Sequence, residues 1–80
     1  MAFSEQSFRE YIQTHFGVQE DEYDKGTLLF SSGILDSFNL VSLMSYIERE
    51  AGFRINPTEV SLDNFDSIDR ILRYVERRAR

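Results

Sequence analysis

The sequence predicts an all-α fold, a small bundle of three main helices plus one short helix, with a long ordered loop between helices 1 and 2. Three observations lead there. Apolar residues recur at three- and four-residue spacing in three separate stretches, residues that start and stop helices bracket those stretches, and 80 residues leave room for a single compact core. Residues 1–80 are therefore expected to form one domain, without repeats or low-complexity tracts.

The first helix is expected from Ser4 to His15. Phe8, Tyr11, Ile12 and Phe16 fall on one face, Ser4 is a suitable cap and Gly17 a suitable stop. The second runs from Ser37 to Ala51, with Leu40, Leu43, Met44, Ile47 and Ala51 on its stripe, Asp36 capping it and Gly52 following. The last runs from Ser67 to Arg78, where Ile68, Ile71, Leu72, Val75 and Ala79 repeat the pattern and Asp66 or Asn64 is the expected cap. Between these two, Pro57 to Leu62 is the place for the short helix, with Pro57 near its first turn. The connection from Gly17 to Asp36 is long for a compact bundle, so it must be packed or functional. Val18, Leu28, Leu29, Phe30, Ile34 and Leu35 are enough for it to lie across the bundle as part of the core.

Charge and composition narrow the function. Fourteen acidic against nine basic residues give a net charge of -5, which disfavours nonspecific nucleic-acid binding and suits either partners with basic surfaces or plain solubility. No cysteine is present, so disulfides and thiolate metal sites are excluded and an intracellular location is allowed. No apolar run is long enough for a membrane span, and the N-terminus lacks a basic-then-apolar secretory pattern. A cytoplasmic monomer is expected.

Catalytic groups do not assemble in the sequence. His15 stands alone near the end of the first helix, where a histidine suits the carbonyls, and it has no Cys or second His for a nucleophile pair or metal cluster. Glu48 and Glu50 are two apart on a helix and face different ways. The glycines at 17, 26, 33 and 52 are too scattered to cradle a phosphate. In the acidic run from Glu20 to Asp24, the alternate positions before Gly26 fall on Asp21, Tyr23 and Lys25, which is no calcium loop. Arg70, Arg73, Arg77, Arg78 and Arg80 complement the negative end of the last helix. No enzyme is expected.

The sequence says Asp-Ser twice, once in GILDSFNL (33–40) and once in DNFDSIDR (63–70). Ser67 needs no explanation beyond the ease with which Asp and Ser begin helices. Ser37 follows the long apolar loop and opens the helix with the broadest stripe, where an attached phosphate would meet free backbone N–H groups. On the residues alone, Ser37 is either an ordinary first-turn residue or an anchor for such a group.

The block LFSSGILDSFNLVSLMSYIEREAGFRI (29–55) resembles the central part of the carrier-protein family, the acyl and peptidyl carrier proteins, in which a Gly-x-x-Asp-Ser-Leu type motif precedes the second helix. Gly33, Ile34, Leu35, Asp36 and Ser37 match in order. Phe38 replaces the commoner Leu, and Leu-Asp-Ser-Phe is similar to the stand-alone D-alanyl carriers. The segment from Asn56 to Val75 resembles the third- and fourth-helix region of peptidyl and aminoacyl carriers. The resemblance implies that 4'-phosphopantetheine is joined to Ser37, with Asp36 and Gly33 shaping the site, and that its thiol bears an acyl or aminoacyl thioester. It further implies a phosphopantetheinyl transferase, an adenylating ligase or acyltransferase, and downstream condensing or tailoring enzymes as partners. Unlike many fatty-acid carriers, the second helix has no acid between Asp36 and Glu48, so docking is expected through Phe38, Val41 and Met44. A stand-alone peptidyl or aminoacyl carrier in nonribosomal peptide or hybrid polyketide assembly is the first expectation. A polyketide or fatty-acid type acyl carrier, a D-alanyl carrier and an unmodified helical interaction module are the alternatives.

Overall fold

A computed structural model describes residues 3–78. Helix α1 spans Glu5–Phe16, α2 Ser37–Ala51, the one-turn α3 Leu62–Phe65 and α4 Ile68–Arg78; 3₁₀ turns occupy Glu20–Glu22 and Pro57–Glu59. The three long helices and the short fourth one agree with the expected all-α bundle, and no strand occurs among the described residues.

Local chemistry sets the helix ends. Ser4 Oγ accepts the Ser7 N–H at 3.1 Å while Ser7 Oγ accepts the Ser4 N–H at 3.0 Å, a reciprocal box that fills two otherwise unpaired donors of α1. Asp36 and Asn39 form the same box at α2, and Gly17 and Gly52 close α1 and α2. The last helix departs from expectation. It starts one residue later, and its cap is neither Asp66 nor Asn64 but Ser67, whose hydroxyl accepts the Arg70 N–H at 3.1 Å and whose carbonyl accepts the Ile71 N–H at 3.0 Å. Asn64 instead donates to the Glu59 carbonyl and accepts from Arg77, at 2.8 and 3.0 Å. The short helix differs too. Pro57 and Asn56 build a 3₁₀ turn, in which Asn56 Oδ1 takes the Thr58 N–H at 3.0 Å, and the α-helical turn begins only at Leu62. Ala79, expected on the α4 stripe, and Arg80 lie outside the described residues.

Packing follows the sequence stripes and adds tyrosine. Phe8, Ile12, Leu43, Ile47, Ile68 and Ile71 are fully buried, and Val18, Leu29 and Leu35 of the long loop join the same core. Burying a side chain of this size contributes about 1.5–3 kcal/mol, so the loop is held by its own apolar groups as firmly as a helix face. Tyr11, Tyr23, Tyr46 and Tyr74 are buried as well. Tyr11 and Tyr46 stack at 3.9 Å between α1 and α2, His15 stacks on Tyr11 at 4.2 Å, and the Tyr11 hydroxyl donates to the Ser42 carbonyl at 3.1 Å. Tyr74 donates to Glu59 at 3.0 Å, and burial first, then that hydrogen bond, push its pKa up to about 12. Arg78 bridges Glu59 at 3.2 Å and covers the Phe53 ring, so this arginine also ties α4 to the segment before α3.

Asp66 is the second buried polar residue of the α3–α4 junction, beside Ser67. Its carboxylate accepts the N–H groups of Phe30 and Ser31 at 2.8 and 3.0 Å and the Ser31 hydroxyl, and its carbonyl accepts the Leu29 N–H. Burial pushes its pKa up, but the Ser31 hydroxyl, the two N–H donors and the Arg70 charge outweigh burial and hold it below the ordinary Asp value of 3.8. Asp66→Asn is therefore expected to lower stability by about 1.5–3 kcal/mol near neutral pH, read by urea unfolding. Because the folded pKa is the lower one, the unfolded chain binds the proton first as pH falls. The stabilisation is complete above about pH 5 and disappears through the lowered folded value. The gap between wild type and variant should shrink on that descent; a gap independent of pH between 6 and 2 would contradict the account.

Candidate functional site

The loop pinned by Asp66 delivers the chain to the head of α2. Leu29 and Leu35 are buried, and the Leu35 N–H donates to the Leu29 carbonyl at 2.9 Å, closing the segment between them into a compact turn. Gly33 makes that turn. Its φ of 87° is in the left-handed region, which costs a residue with a Cβ energy even though open space surrounds the position. Its N–H donates to the Phe30 carbonyl at 3.2 Å.

Asp36 then caps α2. Its carboxylate accepts the Asn39 N–H and Asn39 Oδ1 accepts the Asp36 N–H, both at 3.0 Å, while its carbonyl accepts the Leu40 N–H at 3.0 Å. Ser37 is the first helical residue and is exposed. Among the described residues, its hydroxyl and the N–H groups of Ser37 and Phe38 have no protein partner. They are the unpaired donors that every helix start leaves, at the positive end of the helix dipole. Beside them opens a cleft of about 340 Å³ between α2 and the α3 region, walled by Phe30, Leu35, Leu40, Val60, Leu62 and Phe65, with Asp36, Ser37 and Ser61 on its polar edge.

The two Asp-Ser pairs thus have opposite environments. Ser67 is 3% exposed with its hydroxyl committed to capping, and Asp66 beside it is 2% exposed. Ser37 and Asp36 both face solvent. A bulky substituent on Ser67 would have to break the α4 cap and the core, whereas one on Ser37 meets open space, two N–H donors and an apolar wall.

The structure places the sequence-predicted residues unequally. Gly33, Asp36 and Ser37 come together at one end of α2. Phe38 and Val41 project from the helix at 83% and 65% exposure, while Met44 is half-buried and packs against the core. Sequence reasoning missed Val60 and Leu62, which reach the cleft from across the chain, and Asn39, whose capping role was written in its three-residue spacing from Asp36. It also misread Asp66, for which no local signal exists.

A small helical bundle that holds up a solvent-facing serine at a helix start, next to an apolar cleft, has room at that serine for an attached group. Comparison with known proteins specifies the group. The family model described as "Phosphopantetheine attachment site" matches residues 6–75. A D-alanyl carrier protein from Abiotrophia defectiva is 36% identical over 62 residues, covering 74% of this chain and 78% of the relative. The chain belongs to the phosphopantetheine-binding carrier-protein family. It is a carrier of thioester-bound intermediates with covalently attached 4'-phosphopantetheine, a group that phosphopantetheinyl transferases install. Among the described residues, no helix is long and apolar enough to cross a membrane.

Replacing Gly33 tests the turn that feeds the site. Gly33→Ala is expected to lower stability by about 1–2 kcal/mol, and Gly33→Asn by less, because Asn tolerates the left-handed region better. Thermal unfolding of the three proteins checks this; equal melting of all three would show that the turn carries no conformational demand.

Proposed function

We propose that Ser37 carries the 4'-phosphopantetheine and that residues 1–80 act as one carrier domain, presenting an aminoacyl or acyl thioester to partner enzymes. The observation that supports this most is the contrast between the two serines: Ser37 stands at the family's motif position with a free, exposed hydroxyl, and Ser67 is buried. The residues fit the group. The Ser37 hydroxyl supplies the oxygen of a phosphodiester, the N–H groups of Ser37 and Phe38 suit its negative charge, and the cleft wall suits uncharged atoms near the attachment point. When bound, the group supplies the thiol that the cysteine-free chain lacks. The chain holds the cargo within reach of successive enzymes at high effective concentration, and those enzymes do the chemistry. An unmodified interaction module fits less well, since it gives the open hydroxyl of Ser37 no task.

The pathway reading has two forms. Nonribosomal peptide or hybrid polyketide assembly agrees with the tail from Asn56 to Val75, which resembles peptidyl and aminoacyl carriers. D-alanyl transfer is supported by Leu35-Asp36-Ser37-Phe38 and by the relative from Abiotrophia defectiva. Both take an aminoacyl cargo, loaded by an adenylating ligase. Docking by Phe38 and Val41 suits either, with Met44 backing them from the core; α2 offers no acid before Glu48, so partners would meet an apolar contact with little electrostatic steering.

Intact-mass analysis after incubation with coenzyme A and a broad-specificity phosphopantetheinyl transferase tests the attachment. Wild type and Ser67→Ala should each gain one phosphopantetheine and Ser37→Ala none; an unchanged wild type, with a known carrier modified alongside, would contradict the assignment. Loading of the product by adenylating ligases supplied with D-alanine or with other amino acids then separates the two pathways. Phe38→Ser and Val41→Ser should leave stability within about 0.5 kcal/mol. Each should raise the loading enzyme's KM about tenfold, with weak dependence on salt. A KM equal to that of wild type would place docking elsewhere.

A further inference from the structure

Asn39 stands where many fatty-acid carriers have an acid, and the docking argument gives it no task. Its position in the structure suggests one. Four N–H groups begin a helix without intrahelical partners. In α2 these are the N–H groups of Asp36, Ser37, Phe38 and Asn39: Asn39 Oδ1 takes that of Asp36 and the Asp36 carboxylate takes that of Asn39, both at 3.0 Å. The N–H groups of Ser37 and Phe38 remain free, next to the Ser37 hydroxyl. A capping carboxylate has two stable choices, the second or the third N–H of the helix. Here the choice is fixed by the return hydrogen bond, in which Asn39 Oδ1 accepts the Asp36 N–H at 3.0 Å and holds Asp36 extended at φ -119° and ψ -173°.

We propose that Asn39 is a positioning residue for modification of Ser37: by locking the Asp36 carboxylate onto the third N–H, it reserves the first two for the incoming phosphate and keeps a like charge from turning toward it. This rests on the reading that Ser37 carries the arm. In the transfer, Ser37 Oγ bonds to the β-phosphorus of coenzyme A as the pyrophosphate bond breaks. Adenosine 3',5'-bisphosphate leaves, and the hydroxyl proton passes to the transferase. Without the Asn39 side chain, the Asp36 N–H loses its acceptor and the carboxylate gains access to the Phe38 N–H, in competition with the phosphate. An amide does this work without adding charge beside the phosphodiester. A hydroxyl can do it as well, because in α1 Ser7 fills the same third position and its Oγ accepts the Ser4 N–H at 3.0 Å.

The internal precedent of Ser7 supplies the control. Apo wild type, Asn39→Ala and Asn39→Ser, each verified as folded by circular dichroism at the assay temperature, are modified with coenzyme A and a phosphopantetheinyl transferase while kcat and KM are followed by intact mass. Asn39→Ala should lower kcat about five- to tenfold, the size of a lost cap, with KM near that of wild type; Asn39→Ser should restore kcat. Amide resonances of Ser37 and Phe38 give a readout that a merely structural role would not move. Both should shift on modification of wild type and Asn39→Ser, and the Phe38 shift should diminish in Asn39→Ala. An Asn39→Ser protein as slow as Asn39→Ala would overturn the role, as would a raised KM with unchanged kcat, which marks direct contact with the transferase. A wild type that gains no phosphopantetheine, beside a known carrier that does, would instead sink the Ser37 reading beneath it.

Discussion

One buried carboxylate organises the site from a distance. Asp66 accepts hydrogen bonds from Phe30 and Ser31, 36 and 35 residues earlier in the chain, and its own carbonyl accepts from Leu29. Taking a carboxylate out of water is costly, and the charge is retained only because donors converge on it. Those donors belong to the loop that ends at Asp36. The electrostatic need of Asp66 and the conformational need of the loop are thereby met by the same bonds, and the start of α2 inherits its place from them. The hydrophobic contribution acts alongside: Leu29 and Leu35 are buried on either side of the turn at Gly33, so the loop cannot slide without exposing one of them.

How much of this was legible depended on how local its cause was. The bounds of α2 were readable to the residue because an Asp cap and a closing Gly bracket one apolar stripe, all within the window of a single helix. At α4, the sequence offers Asp66 or Asn64 as cap, and the cap is Ser67. Asp, Asn and Ser are near equals as caps, and the residue that loses the role is decided by a partner far away in sequence. Tyr23, Tyr46 and Tyr74 escaped the predicted core because a phenol reads as amphipathic. Gln13 answers Tyr23 and Glu59 answers Tyr74, yet neither pairing leaves a mark in the spacing of residues.

The proposed attachment site shows the same division. Gly33, Asp36 and Ser37 lie within five positions and were found together by motif; the cleft beside them was not found, because Val60, Leu62 and Phe65 come from the other side of α2. The repeated Asp-Ser is the sharpest case. Identical dipeptides end as an exposed pair at α2 and a buried pair at α4, one open to chemistry and the other spent on holding the fold. Dipeptide identity did not separate them. Their surroundings did, through the burial of Phe65 and Ile68 around the second pair.

The long reach from Asp66 back to Phe30 and Ser31 also sets an order of events in the life of the chain. A ribosome makes the serine-bearing segment before it makes Asp66, so a growing chain exposes residue 37 while the anchor for its loop is still unmade. On the proposed assignment of Ser37, the shape that a modifying enzyme would meet exists only after the later segment has emerged and docked. Timing is thus written into topology: the chain's last third acts as a seal of completion, and half-made copies offer a serine without its setting.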